Sequence, residues 1–405
     1  MNKHIIYQSK KLYHFFRTFL YEALPANLVY NFPSSKLTVI MITGTDGKTT
    51  SSTMLYHVLN TAGYKVALIS TVAAYIGDEQ IDTGFHVTNP NPWQLQKILK
   101  EIVDKGFTHV VLETTSHGIY QYRNWGITPN FAGLTNISNN EHLDYHVSYS
   151  EYVKAKASML AEAELAVIPR QDESTESVTQ ILSINQTKFI EYSLKNLSEK
   201  LQTAIRTRFT QSYNHNNATL VSVLAMQLGV NEEKIVEGIS SFSGIPGRME
   251  EIKNDRNLRI IVDFAHTPNA LKEALLSLKK TTIAGKKLIA VFGCAGLRDP
   301  SKRSRMGQYG TELADYCVFT AEDPRTENVW TIIRQMKENL TTGHNHIHSI
   351  PDRQTALDFA INTLAKSGDT IAVFGKGHEQ TMCYGTIEYP WNDSEGIQKS
   401  LDISA

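Results

Sequence analysis

Four short apolar runs in the first part of the chain alternate with stretches whose apolar positions recur at helical spacing. LTVIMITG (37–44) is continuously hydrophobic and ends in glycine, and a helical stretch follows at 48–62. KVALIS (65–70), THVVLETT (108–115) and NFAGLTNIS (130–138) repeat the rhythm. Strand, helix, strand in this order predicts a parallel sheet covered by helices on both faces. Ligands of such sheets sit at the C-terminal ends of the strands. Here stretches rich in Gly, Glu, His and Asn follow the apolar runs.

The pattern changes twice further on. Residues 169–210 read as polar and weakly patterned, and two helical stretches run through 216–241. SGIPGRME (243–250) carries the turn chemistry of a hinge. The rhythm then restarts with LRIIVDFA (258–265), KLIAVFG (287–293), DYCVFTA (315–321) and TIAVFGKG (370–377). The expected organisation is a short helical extension at 1–36, an α/β domain at 37–243, a hinge at 244–250 and a second α/β domain at 251–405.

Residues 1–24 mix Lys3, Lys10, Lys11 and Arg17 with Phe15, Phe16, Phe19, Leu20 and Leu24. A signal peptide, a membrane-surface helix and a helix packed on the domain all fit that mixture. Arg17 and Glu22 interrupt the apolar run and no clear small-residue cleavage site follows, so a packed amphipathic helix is expected.

Composition narrows the function classes. The 405 residues are 41% hydrophobic and 20% charged, with a formal net charge of −1. That is ordinary globular composition, and it excludes nucleic-acid binding through bulk positive charge. Cys294, Cys317 and Cys383 form no CxxC pair, so neither a zinc ribbon nor a disulfide framework is supported and a cytoplasmic setting is expected. No apolar run reaches the length of a membrane span, so no stable membrane insertion is expected. A monomer acting on small molecules is the expected form.

The first strand runs into Thr43-Gly44-Thr45-Asp46-Gly47-Lys48-Thr49-Thr50. Strand, glycine-bearing loop, Gly-Lys-Thr and helix make a phosphate cradle. Glycines let backbone N–H groups turn inward, the helix N-terminus adds partial positive charge, and Lys48 reaches the β and γ phosphates. Thr49 is placed to ligate Mg²⁺. The first glycine of the usual GxxxxGK[ST] pattern would fall at Ile42, so a structural turn is the competing reading.

TGTDGKTT resembles the nucleotide loop of the Mur ligases. The strings LETTSHGIYQYR (112–123), TNISNNEHLDYH (135–146), EYVKAKASML (151–160), GIPGRMEEI (244–252), VDFAHTPNAL (262–271), FGCAGLRDPSKRSRMG (292–307), EDPRTE (322–327) and FGKGHEQ (374–380) arrive in that family's order. They are most similar to the branch that adds the third residue of a cell-wall peptide. The resemblance implies a central ATPase domain of P-loop type with a parallel-rich sheet, a C-terminal Rossmann-like α/β domain, and ATP and Mg²⁺ as cofactors. It implies an ATP-dependent ligase that activates a peptide-like carboxylate as an acyl phosphate and joins it to an amino acid.

Glu113 follows HVVL and His142 follows GLTNI. Read alone, each is a helix-start acid or a packed histidine. The resemblance assigns both to a second Mg²⁺, a use of imidazole that suits only a strongly anionic site. It makes Lys156 a carbamylated metal ligand, against a plain reading of Lys154 and Lys156 as two solvated helix lysines. It brings Asn214 and Asn217 toward the adenine, Arg248 toward the phosphates and Asp263 toward the ribose. Thr88, Thr115 and Arg123 match positions that hold the acceptor. Arg298, Asp323, Arg325, Gly375 and Glu379 match positions around the incoming amino acid, where an arginine can grip a carboxylate with two hydrogen bonds.

Three departures stand out. The diaminopimelate enzymes of the family carry Asp-Asn-Pro-Arg where this chain has Glu322-Asp323-Pro324-Arg325, and the extra anion points to a more cationic amine such as lysine. TNISNNEH is one residue longer than the family spacing, which displaces His142. Only about 36 residues precede the first strand, whereas full-length relatives carry an N-terminal UDP-binding domain of about 100. Two other readings therefore stand beside a ligase for UDP-linked muropeptides: a ligase for a UDP-free acceptor, and a nucleotide-binding subunit without chemistry.

Overall fold

The computed structural model describes residues 3–71, 74–77, 79–81, 89–138, 147–209, 211–340 and 346–402. They fall into two compact units, Met1–Ser243 and Gly244–Ala405.

The first unit is built on a sheet of order β4-β3-β2-β5-β1-β6-β7-β8, comprising β1 (Thr38–Thr43), β2 (Val66–Ile69), β3 (Ala74–Ile76), β4 (Glu79–Ile81), β5 (His109–Glu113), β6 (Phe131–Leu134), β7 (Leu165–Pro169) and β8 (Lys188–Tyr192). From β2 to β8 the pairing is parallel, while β3 and β4 add an antiparallel edge. Strand β1 lies at the centre, and Val39, Ile40, Met41 and Ile42 are buried, as a strand covered on both faces requires. Residues 169–210 are more regular than their sequence suggests. They form the helix Thr175–Ile184, edge strand β8 and the helix Glu199–Arg208. Their half-exposed faces carry the polar residues that blur the pattern.

The N-terminal helices Lys3–His14, Phe15–Ala23 and Leu24–Tyr30 lie against this unit. Phe19 packs edge-on to Trp125, Tyr7 on Tyr120, and the Asn27 amide donates to the Trp125 carbonyl. Among the described residues no helix is long and apolar enough to cross a membrane.

The second unit has a sheet of order β13-β12-β11-β14-β10-β9, from β9 (Glu250–Ile252), β10 (Arg259–Asp263), β11 (Leu288–Phe292), β12 (Tyr316–Phe319), β13 (Ile347–Ser349) and β14 (Thr370–Phe374). Only β9 runs antiparallel. A separate hairpin joins β15 (Thr381–Tyr384) to β16 (Ile387–Pro390). Cys294, Cys317 and Cys383 are all free and buried in this unit.

Candidate active site

In the first unit, β2, β5, β1 and β6 are neighbours, so their C-terminal ends place Thr71, Glu113, the 44–49 loop and Thr135–Asn136 along one edge. Gly47 opens the helix Lys48–Thr61 at φ +78°, a left-handed conformation that glycine adopts without steric cost. A Cβ there would lie 2.3 Å from the Asn217 amide oxygen. At Gly44, with φ +155°, a Cβ would lie 1.7 Å from the Thr135 hydroxyl. Both glycines are therefore required by close approach as well as by conformation.

The loop is stitched to the segment after β6. Thr45 N donates to the Asn136 carbonyl (2.8 Å), Asp46 N to the Asn136 side chain (3.0 Å), and the Thr135 hydroxyl to the Asp46 carbonyl (2.6 Å). The Thr45 hydroxyl accepts from Ser138 N and pairs with the Tyr152 hydroxyl, each at 3.0 Å. The Lys48 ammonium arches back to the Thr45 carbonyl at 2.8 Å. Lys156 is only 1% exposed, lies 4.7 Å from the centre of the Tyr152 ring and donates to the Gly44 carbonyl. Lys154 points to solvent and pairs with Glu151, so of the two helix lysines only one is solvated. Asn217 sits against Gly47 and donates to Asn214 at 3.3 Å.

Glu113 is 1% exposed and accepts from Thr49 Oγ1, Thr71 Oγ1 and Thr71 N, all at 2.9 Å. A hydroxyl and a buried carboxylate side by side suit a hard cation such as Mg²⁺, which takes much of its coordination from phosphate and water. Among the described residues no cluster of three His, Cys, Asp or Glu side chains could hold a metal alone. Thr115 caps the helix Ser116–Tyr120 and, through its N–H and hydroxyl, donates to the Asn89 side chain. Arg123 donates to the Asn89 carbonyl at 2.7 Å. Thr88 and His142 lie outside the described residues.

In the second unit the ends of β12, β11, β14 and β10 converge in the same way. Asp263 uses its carboxylate on the backbone, accepting from Met249 N and Ala265 N at 2.8 Å each. The Arg248 guanidinium lies 4.5 Å from the centre of the Phe264 ring. Gly375, at φ +109°, sits against Glu322, and Arg298 is exposed in the turn after β11.

Asp323 does not present a bare anion. It is 4% exposed, and its Oδ1 accepts from Lys376 Nζ at 2.7 Å and Cys383 N at 2.9 Å. Lys376 is fully buried and also pairs with Glu379. Burial opposes the Lys376 charge, but Glu379 and Asp323 outweigh it and hold the ammonium above the ordinary lysine range. Arg325 donates to the Gly296 carbonyl (2.8 Å), and its backbone pairs with Cys383 and Gly385. Glu322 is buried with one oxygen unpartnered, and burial pushes its carboxyl up to about 7, against the pull of Lys302 and Lys376.

Thr71, Asn89, Thr135, Asn136, Tyr152 and Lys376 also line these edges, without a role assigned from sequence. Thr135, Asn136, Tyr152 and Lys376 stand inside strings already singled out, where only neighbouring residues were assigned roles. Thr71 and Asn89 reach Glu113 and Thr115 across 42 and 26 residues, a pairing no local pattern encodes.

Residues 42–232 match the Mur ligase middle domain, and residues 247–377 match the Mur ligase glutamate ligase domain. The chain is 36% identical over 403 residues to a UDP-N-acetylmuramoyl-L-alanyl-D-glutamate–2,6-diaminopimelate ligase of Clostridium tetani, covering 94% of this chain and 81% of that one. A namesake from Clostridium acetobutylicum is 33% identical, over 92% of this chain and 80% of its own. A solved ligase of the same name is 28% identical, with TM-score 0.60 over 91% of this chain and 79% of that one. The fold is also that of a Yersinia pestis folylpolyglutamate synthase/dihydrofolate synthase, solved with AMPPNP and Mn, at TM-score 0.68 and 18% identity over 87% of this chain and 90% of that one.

Proposed function

Since this chain belongs to the Mur ligase family, making it an ATP-dependent, ADP-forming ligase, we propose that it adds diaminopimelate to a muramoyl-L-alanyl-D-glutamate acceptor. The observation that carries the reading is the edge formed by the 44–49 loop, Thr49 and Glu113 at adjoining strand ends. Two anions, a triphosphate and a carboxylate, must meet in such a reaction, so cations and oriented N–H groups do most of the work.

The loop amides and the N-terminus of the helix Lys48–Thr61 bind the phosphates. Lys48 follows the charge that builds on the γ-phosphate as the acceptor carboxylate attacks it and ADP departs. The amine then attacks the acyl carbon, phosphate leaves, and an amide remains. Thr49 and Glu113 would hold Mg²⁺, which supplies charge neutralisation to the phosphates. Lys156, at the Gly44 carbonyl, serves the same loop. In its carbamylated form it offers a carboxylate-like ligand. Asn217 and Asn214 fit the base, and Arg248 and Asp263 fit the phosphates and ribose. Thr115 and Arg123 face the acceptor.

The test is ADP release and product mass with ATP, Mg²⁺, diaminopimelate and either UDP-N-acetylmuramoyl-L-alanyl-D-glutamate or its UDP-free counterpart. Product from the UDP-linked acceptor supports the reading. Product from the UDP-free acceptor alone moves the acceptor class. No coupled turnover with either defeats it.

A further inference from the structure

The second unit gathers three carboxylates, Glu322, Asp323 and Glu379, around one buried ammonium. Lys376 is 0% exposed, bonded to Asp323 at 2.7 Å and ion-paired with Glu379. Arg325 stands 4.0 Å from the other Asp323 oxygen. Asp323 spends Oδ1 on both Lys376 and the Cys383 amide, so its side chain is fixed in place with Oδ2 toward Arg325. The charge that Asp323 brings is therefore shared with Lys376 before any amine arrives. The anion that Asp323 brings is paired inside the cluster. Asp323, Glu379, Lys376 and Arg325 sum to zero, an ionised Glu322 takes the cluster to −1, and loss of the lysine makes either sum one unit more negative.

The charge of the amino acid then decides what the cluster prefers. Diaminopimelate carries two ammonium and two carboxylate groups and is neutral overall, whereas lysine carries a net +1. We propose that Lys376 is a specificity-determining positioning residue, which holds Asp323 and Glu379 in place and offsets one of their charges, so that the site selects a net-neutral amino acid over a cationic one. The inference rests on the ligase reading and on the placing of the amino acid at Arg325 and Glu379. A unit charge acts over several ångströms in a poorly solvated site, so its removal alters discrimination even where no contact with substrate is lost.

The experiment measures kcat/KM for diaminopimelate and for lysine in the same preparation and takes their ratio. The ratio is independent of how much protein is folded, so a purely structural role for Lys376 leaves it unmoved. Lys376→Gln should shift the ratio toward lysine on the order of 10-fold. Asp323→Asn should shift it toward diaminopimelate. Lys376→Arg, and the charge-restoring pair Lys376→Gln with Asp323→Asn, should return it close to the parent value. Should Lys376→Gln fail to fold, the Asp323→Asn, Lys376→Arg and double variants still decide the matter. A ratio unchanged in the single-charge variants that turn over overturns the proposal. A parent enzyme that turns over neither amino acid overturns the ligase reading itself, which is a different result.

Discussion

Around the phosphate loop of the first unit, the lysines bind backbone carbonyls. Lys48 holds Thr45, Lys156 holds Gly44, and Asn136 and Thr135 hold Asp46. At the matching strand ends of the second unit, the buried cations bind carboxylates. Lys376 joins Asp323 to Glu379, and Arg353 is locked to Asp393 by two 2.7 Å bonds. The first arrangement fixes a shape, so its failures should be geometric and local. The second fixes a charge, so its failures should be electrostatic and felt through pH and ligand charge.

The sharpest break in that contrast is Lys48→Ala. Its loop is held by Thr135 and Asn136 as well, so nucleotide binding should survive within a few-fold while kcat falls by ~100- to 1000-fold. Equal losses of binding and rate would mean that Lys48 shapes the loop instead of serving the transition state. Next comes Lys156→Ala, expected to cost ~100-fold or more, with partial recovery in added formate or acetate if a carbamate is being replaced. Lys154→Ala, which loses only a surface pair with Glu151, should change stability by less than about 0.5 kcal/mol and leave the rate alone. Similar losses at the two lysines would remove the carbamate reading.

Gly47→Ala probes shape alone. The added methyl meets the Asn217 amide at a backbone angle that alanine resists, so the first unit should lose about 1–3 kcal/mol in thermal or urea unfolding and bind ATP more weakly. An unchanged melting midpoint would mean that the loop yields more easily than its hydrogen bonds imply.

Glu322→Gln probes charge alone. In the fold its carboxyl is raised from 4.5 to about 7, first by burial. A raised carboxyl favours the fold below its unfolded value, and that advantage is lost as pH climbs through the folded one. The parent should therefore lose stability relative to Glu322→Gln between about pH 4.5 and 7, by on the order of 3 kcal/mol. His266, buried and lowered to about 3, pulls the absolute curve the other way below its unfolded value, so the difference between the two proteins is the quantity to plot. A flat difference would show that Glu322 is already ionised without penalty.

Much of this could be read from the chain before folding. Thr43 to Thr50 are contiguous, and a strand-loop-helix string carries its geometry locally. Continuous apolar runs likewise announced the buried parallel strands. The three-residue strands β3, β4, β9 and β13 and the β15–β16 hairpin escaped notice because segments that short present no period, and β7 and β8 because they border or lie within the polar stretch at 169–210. Asp323 was legible, but its ion pair was not. Its role depends on Lys376, 53 residues away, and a lysine in a glycine-rich string looks the same whether it faces water or two carboxylates. Asn89 was invisible for the same reason, since its three partners lie in other elements.

The distribution of thiols makes the chain its own reporter. All three cysteines belong to Gly244–Ala405, at 1%, 1% and 6% exposure, and burial pushes Cys294 up to about 12 and raises the other two. A chromogenic thiol reagent should find nothing reactive in the closed fold, and its slow uptake should time the opening of the second unit alone. Because the first unit has no thiol at all, a single cysteine placed on its surface would react at once. Fast and slow phases would then follow the two halves separately in one cuvette, without a label, a chaotrope or a substrate.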